Sequence, residues 1–182
     1  MTAVRTATAQ TISTLDGAFT LVTDGSGALL ASGWTPSSAE LISRIHPALR
    51  PGRIVEGETR AAEAVIAYYD GDLTAVNSVP VLQRGTELQQ RGWRSLRTVP
   101  AGCTQTYAEF ARRIGNPSAS RAAASICARN AIGLFVPCHR ILRSNGQLGG
   151  FAWGMGTKRS LLDHEANVRF GSSVEASFSN GG

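Results

Sequence analysis

The spacing of apolar residues changes near residue 85, from a pattern typical of strands with one helix to a mainly helical pattern. This change limits the possible folds of the chain more than any other feature. Before it, the segments TISTL and AFTLVTD flank Asp16-Gly17, a dipeptide typical of a tight hairpin turn. A third strand, ALLASGW, follows a Gly-Ser-Gly turn, and apolar residues then recur at helical spacing between Thr59 and Tyr69. The pattern predicts a small α/β domain over residues 1–84, a scaffold in which no motif indicates chemistry.

Helical spacing dominates the second half. Leu88–Arg97 is predicted to be one helix, and a capping-box sequence starts the next at Thr106. Gly115 should end that helix, and Asn116-Pro117 should begin a third, with Asn as its N-cap and Pro at its first position. Two short helices joined by a tight turn predict a helix-turn-helix, within a mainly α, winged-helix-like domain over residues 85–170.

Composition narrows the class of protein. The net charge of +5 favours a polyanionic partner, and it is equally compatible with a role in solubility alone. No apolar stretch approaches the roughly 18 residues of a membrane span, and the N-terminus lacks the apolar segment of a signal peptide. We therefore expect a cytoplasmic protein without membrane contact. The Ser- and Gly-rich end, residues 171–182, is expected to be disordered.

The cysteines indicate neither a disulfide framework nor a metal site. Cys103, Cys127 and Cys138 form no CxxC pair, and no histidine lies at zinc-finger spacing from two of them. We expect no structural metal and no cofactor.

The third predicted helix, SASRAAASICAR, is almost without bulky side chains, and Arg121 is the long one in its first two turns. A helix that contacts bases in the major groove usually carries long polar side chains, whereas small residues let a helix backbone approach a surface closely. Two interpretations remain open. The helix is packed internally with a solvated Arg121, or it is pressed into a minor groove with Arg121 projecting into the duplex.

The segment FVPCHRI carries the strongest candidate for chemistry. A lone cysteine in an apolar run is usually a small buried hydrophobe, but an imidazole that accepts the thiol proton would make Cys138 a nucleophile. Adjacency to His139 does not prove contact, because neighbouring side chains on a strand point to opposite faces.

A carboxylate further along strengthens this candidate. In the helix predicted to start at Thr157, Glu165 shares a face with Lys158 and two leucines. A carboxylate on a buried face costs several kcal/mol unless it is paired, so Glu165 needs a partner. His139 is one candidate, and pairing with an arginine such as Arg140, or snorkelling to solvent, is the alternative.

The segments NAIGLFVPCHRIL, GQLGGFAWG and KRSLLDHE resemble the active-site half of the O6-alkylguanine-DNA alkyltransferases. The resemblance continues upstream through GTELQQRGWRSLRTVPAG and TYAEFARRIGNPSASRAAA, and it covers about residues 85–166. It implies DNA repair by direct reversal, in which a monomer binds double-stranded DNA in the minor groove. A flipped O6-alkylguanine would give its alkyl group to Cys138 once and irreversibly. Repair of O4-alkylthymine and cooperative binding along DNA stay open.

The resemblance also implies catalytic roles. Cys138 would be the alkyl acceptor, and His139 would take its proton through a water. Glu165 would orient His139, Tyr107 would donate to the leaving guanine, and Asn130 would hold the turn behind the active site.

Further roles follow for DNA and substrate contacts. Arg121 would fill the gap left by the flipped nucleotide, and the DNA-binding set would comprise Ala119, Ser120, Arg121, Ala122, Ala124 and Ser144. The substrate pocket would be lined by Ile141, Phe151, Ala152 and Trp153. In it the carbonyls of Cys138 and Ile141 would accept from the guanine amino group and the N–H of Ala152 would face O6. Trp153 would narrow the pocket, favouring methyl over benzyl groups, unless it packs outward against the last helix.

Some positions depart from the family pattern. Ala131 stands where proline is usual, and Phe151 stands where tyrosine is usual, which removes a hydroxyl contact to guanine. Leu88 and Gly92 also replace more usual residues. Two other classes of protein remain: a helix-turn-helix binding module without chemistry, and a cysteine hydrolase using Cys138 and His139. The hydrolase lacks an obvious oxyanion site.

Overall fold

The computed structural model describes the backbone of residues 5–178 and the side chains of residues 5–169. The first half contains a four-stranded sheet of order β3-β2-β1-β4, antiparallel except for the parallel pair β1–β4. Its strands are β1 (Thr6–Thr14), β2 (Gly17–Thr23), β3 (Leu29–Gly33) and β4 (Arg53–Glu56).

The predicted hairpin is confirmed. Gly17 has a φ of 104°, which favours glycine, and it pairs with Thr14 across the turn. The first strand starts at Thr6, earlier than the sequence predicts, because its first residues pair with β4, beginning with Thr6 opposite Arg53. Such pairing between distant segments leaves no local signal in the sequence.

Six α-helices accompany the sheets in the described part of the chain: α1 (Ser38–Arg44), α2 (Arg60–Tyr69), α3 (Glu87–Leu96), α4 (Tyr107–Arg113), α5 (Ser120–Ala128) and α6 (Met155–Phe178). The predicted α2, α3 and α4 are confirmed, and the Thr106–Glu109 capping box at α4 is present. The short α1 is capped by Ser37 and lies between β3 and β4.

The predicted start of α5 is wrong. Asn116 is not its N-cap, and Pro117 is not its first residue, because the helix begins at Ser120 after Ala119. Instead the amide of Ala119 donates to the carbonyl of Asn116 at 3.1 Å and closes a turn with Pro117 at its second position. Proline is favoured there as well as at a helix start, so the dipeptide alone does not distinguish the two.

The two halves share one hydrophobic core. Buried side chains of the sheet, α2, α3, α4, α5 and the segment around Phe135 form a single cluster. At the junction, the amide of Ser32 in β3 donates to the carbonyl of Ala131 at 3.0 Å, and its hydroxyl donates to Gly133 at 2.8 Å. The α/β half followed by a helical half confirms the predicted fold class. The winged-helix likeness and the domain boundary at residue 85 stay predictions.

The last helix starts at Met155, slightly before the predicted Thr157, and continues to Phe178. It thus passes the point where the sequence predicts a disordered tail, and residues 179–182 lie outside the described residues. Among the described residues, no helix is both long and apolar enough to cross a membrane.

Candidate active site

Cys138 opens a short 3-10 turn, Cys138–Arg140, which leads into β6 (Ile141–Leu142), the partner of β5 (Gln105–Thr106). Only 6% of the residue is exposed. In a strand, neighbouring side chains point to opposite faces. This segment is a turn, so that rule does not separate the side chains of Cys138 and His139. Just before it, Leu134 has a φ of 71°, a strained conformation for a residue with a side chain.

Asn130 holds the loop that carries the nucleophile. Its side-chain Nδ2 donates to the carbonyl of Val136 at 2.8 Å and lies 3.3 Å from the Sγ of Cys138. Its Oδ1 accepts from the amide of Ile132 at 3.0 Å and from Nε2 of Gln83 at 3.0 Å. The contacts are those of a turn-stabilising residue, and Gln83 is a partner for which the sequence contains no motif.

His139 and Glu165 form a fully buried pair, with 2.8 Å between Nε2 and Oε1. Burial lowers the pKa of His139 below its usual value, although the Glu165 charge opposes this. The imidazole is therefore neutral at neutral pH and able to accept a proton. Its Nδ1 is buried and makes no hydrogen bond to any described residue. Glu165 thus engages one ring nitrogen and leaves the other for a reacting group.

Glu165 also pairs with Arg140, so both partners considered from the sequence are present. Arg140 donates from Nη2 to Oε1 at 2.8 Å and from Nε to Oε2 at 3.0 Å. Burial tends to raise the pKa of Glu165, but the hydrogen bonds from His139 and Arg140 and the charge of Arg140 oppose it, and that pKa lies far below its usual value. The carboxylate remains ionised in the core because its charge is compensated.

Tyr68 is the residue of this network that the sequence did not indicate. From α2 in the first half, its hydroxyl donates to Oε1 of Glu165 at 2.8 Å. The amide of Gly102 donates to Oε2 at 3.0 Å. The expectation that the first half is only a scaffold is therefore incomplete, since it supplies a hydrogen bond to the candidate active site.

Lys158 lies buried beside the nucleophile. Its Nζ donates to the carbonyl of Ile141 at 2.7 Å, and burial lowers the pKa of its amine. The sequence already places this lysine on the apolar face of α6, but no motif indicates a role for it. The Ile141 carbonyl, predicted to accept from guanine, already accepts from Lys158, and its second lone pair leaves room for another donor.

The thiol and the phenol of the site are both protonated at neutral pH. Burial raises the pKa of Cys138, and the Asn130 hydrogen bond and the Lys158 charge only partly offset this. Burial, with the charges of Cys127 and Cys138, raises the pKa of Tyr107 to about 12. Cys138 therefore needs a base before it can attack, and Tyr107 is available as a donor.

Of the predicted pocket residues, Ile141 lies in β6, and Phe151, Ala152 and Trp153 lie on the turn after it. The ring of Phe151 is 6.4 Å from that of His139, and Ala152 is exposed. The indole of Trp153 lies against Gly33 and Gly133, 5.6 Å from the ring of Trp34. Trp153 thus packs against Gly33 and Trp34 of the first half. Its role as a pocket wall stays a prediction.

The predicted DNA-binding residues lie on and near α5. This helix buries Ala123, Ile126 and Cys127, so its opposite face is free. Exposed or half-exposed side chains of the predicted set are Ala119, Ser120, Arg121, Ala122, Ala124 and Ser144. Helix α5 is therefore buried along one face only, and the DNA contacts themselves stay predictions.

The chain is similar to several known proteins. Residues 87–167 match the model of the 6-O-methylguanine DNA methyltransferase, DNA binding domain. The chain is 41% identical over 120 residues to a methylated-DNA–protein-cysteine methyltransferase of Methanosarcina acetivorans, covering 64% of this chain and 76% of that protein. It is 46% identical over 89 residues to the bifunctional transcriptional activator/DNA repair enzyme Ada of Escherichia coli. That match covers 49% of this chain and 25% of Ada.

A solved structure gives the same result for the fold. The structure of Mycobacterium tuberculosis OGT in complex with DNA superposes with a TM-score of 0.71 at 29% identity, covering 88% of this chain and 93% of that one.

Proposed function

Because the chain belongs to the 6-O-methylguanine DNA methyltransferase family, we propose that it repairs O6-alkylguanine in double-stranded DNA by transferring the alkyl group to Cys138. The observation that carries the proposal is the arrangement at the nucleophile. The Sγ of Cys138 lies against Asn130. The next residue, His139, is buried and paired with Glu165 through Nε2, and its Nδ1 can take a proton. A cysteine that only packs in a core needs no such base.

The substrate base must first leave the duplex. O6 of guanine lies inside the paired stack, so its extrusion costs a few kcal/mol, less for an alkylated base that pairs poorly. The exposed face of α5 enters the minor groove, where its small side chains allow close approach. Arg121 fills the gap in the stack and so stabilises the flipped state.

Transfer then proceeds as one displacement. His139 takes the Cys138 proton through a water, and the Glu165 carboxylate stabilises the imidazolium that forms. The thiolate sulfur attacks the alkyl carbon, the bond from that carbon to O6 breaks, and its electron pair goes to the guanine ring. Tyr107 donates to the ring as this charge develops. The resulting thioether does not hydrolyse, so each molecule reacts once.

The test is the intact mass of the protein after incubation with DNA that contains O6-methylguanine. The wild-type protein should gain one methyl group and then stop. The Cys138→Ala variant should gain none while its affinity for DNA stays nearly unchanged, because the thiol acts only in the chemical step. The matched controls Cys103→Ala and Cys127→Ala should still gain one methyl group.

Three results would contradict this function. A methyl group found on Cys103 or Cys127 would remove Cys138 as the acceptor. A wild-type protein that binds the DNA without gaining mass would be a binding module, and repeated turnover of a thioester or amide would indicate a hydrolase.

A further inference from the structure

A groove of about 980 Å³ runs between the two halves, away from the nucleophile. One wall is the end of α1 and the turn after it, and the other is the segment before α3 together with the end of α5. Its charged lining residues among those the structure describes are all arginines: Arg44, Arg50, Arg84 and Arg129. No aspartate or glutamate of the described residues belongs to the lining.

These arginines have no counter-charge in the described part of the chain. The ion pairs found there join His139 and Arg140 to Glu165. Arg50 donates to the carbonyls of Ile45 and Ser43, both at 2.9 Å, and Arg44 donates to those of Ala128 and Asn130, both at 3.4 Å. These carbonyls carry no charge, and the buried Nε of Arg44 has no partner among the described residues. Uncompensated like charges around one concave surface repel each other and attract an anion. The groove therefore complements a polyanion.

The groove continues the exposed face of α5. Arg121, Ser125 and Arg129 follow each other at intervals of four residues on that face, and the last two line the groove. At 1.5 Å per residue, Arg121 and Arg129 are about 12 Å apart along the helix. This corresponds to roughly three to four base pairs at 3.4 Å each. A DNA strand lying along α5 from Arg121 thus reaches the groove within a few nucleotides.

Gln83 connects the groove to the active site. It lines the groove, donates to Oδ1 of Asn130 at 3.0 Å and accepts from the amide of Ala131 at 2.9 Å. Asn130 in turn lies against Cys138. An anion held in the groove is therefore adjacent to the loop that carries the nucleophile.

We propose that this groove binds the phosphodiester backbone of the DNA, a few base pairs from the flipped base, through Arg44, Arg50, Arg84 and Arg129. The proposal rests on the proposed function for the identity of the polyanion. Guanidinium groups match phosphate oxygens in charge and in geometry, and each phosphate contact releases counterions. The first half of the chain is then part of the DNA-binding surface.

The test compares the salt dependence of binding to an undamaged duplex. Arg84 and Arg129 are exposed and make no side-chain hydrogen bond to a described residue, so the double variant Arg84→Gln, Arg129→Gln should fold normally. The slope of log affinity against log salt should become shallower by about two, because two phosphate contacts are lost. The control, Arg60→Gln with Arg159→Gln, removes the same charge from exposed sites outside the groove and should keep the wild-type slope.

The proposal is overturned if the groove variant and the control have the same slope. It is also overturned if the groove variant keeps the wild-type slope but loses self-association in sedimentation, which would assign the groove to a second copy of the chain. Binding to undamaged duplex does not require alkyl transfer. A failure here with a normal mass gain on Cys138 therefore leaves the proposed function intact.

Discussion

The buried carboxylate of Glu165 accepts hydrogen bonds from donors in distant parts of the chain. His139, Arg140, Tyr68 and the amide of Gly102 all lie within hydrogen-bond distance of it. Removing a partner from a compensated buried charge is costly, because the remaining groups stay desolvated. The same network that keeps the carboxylate ionised sets the orientation of His139, so stability and chemistry depend on the same contacts.

Tyr68→Phe should lower both stability and the rate of alkyl transfer. Loss of one hydrogen bond to a charged group costs about 1.5–3 kcal/mol of unfolding free energy. The carboxylate, with one donor fewer, holds the imidazolium more tightly, so the pH profile of the transfer rate should shift to higher pH. Denaturant unfolding and single-turnover rates across pH measure the two effects.

Tyr69→Phe is the matched control, because its hydroxyl donates to Asp16 at 2.7 Å and not to the active site. It should leave the pH profile of transfer unchanged. Identical pH profiles for the two variants would refute a positioning role for Tyr68.

Trp153→Gly should change both stability and the preference for substrates. The indole packs against Trp34, Phe151 and the guanidinium of Arg44, which lies 5.0 Å from its ring centre. Its loss should cost roughly 3 kcal/mol. If Trp153 also narrows the pocket, as the sequence predicts, reaction with O6-benzylguanine should improve relative to O6-methylguanine. A lower melting temperature with an unchanged methyl-to-benzyl ratio would leave it a purely structural role.

At the scale of elements, α5 combines tight packing with an open face. Gly92 on α3 lets this helix come close, because a Cβ there would lie 2.7 Å from Cγ2 of Ile126. Ala119 provides no side-chain cap. The small residues of α5 are therefore not explained by internal packing alone, since several of them face solvent.

Arg121→Ala should slow repair of duplex DNA by at least about tenfold, because the side chain stabilises an extruded base whose release costs a few kcal/mol. Reaction with free O6-methylguanine should be unaffected, since no base is extruded. Arg91→Ala, which removes an exposed charge from α3, should have little effect on either rate. Equal losses on duplex and free base would contradict the role of Arg121 in base extrusion.

At the scale of the whole molecule, the active site depends on the contact between the halves. The second half carries Cys138 and His139, while Tyr68 and Gln83, from before residue 85, donate to Glu165 and Asn130 beside them. The hydrophobic core shared by the two halves holds these groups in position relative to one another. The two predicted domains are thus joined at the site itself.

The unfolding free energy should fall as the pH decreases below about 6.5. The folded pKa of His139 is lowered, so the unfolded chain binds a proton first and protonation favours unfolding. The pKa of Glu165 is lowered too, so a second loss should follow below about 4.5. Denaturant titrations between pH 8 and pH 4 measure this, and a flat profile across that range would contradict it.

The sequence by itself determined what depends on neighbours within a few residues. The hairpin at Asp16-Gly17, the capping box at Thr106 and the helical spacing that places Glu165 on a buried face are all local, and so is the motif around Cys138. These features predicted the family, the fold class and the need of Glu165 for a partner.

Only the tertiary structure decided which distant groups meet. Tyr68 and Glu165 are 97 residues apart, and Gln83 and Asn130 are 47 apart, so no local pattern links them. Asn116-Pro117 suits a turn as well as a helix start, and in the folded chain it forms the turn. The indole of Trp153 packs beside Gly33, a residue 120 positions earlier in the chain. Such packing depends on the shape of the folded core, which the spacing of residues in the sequence does not encode.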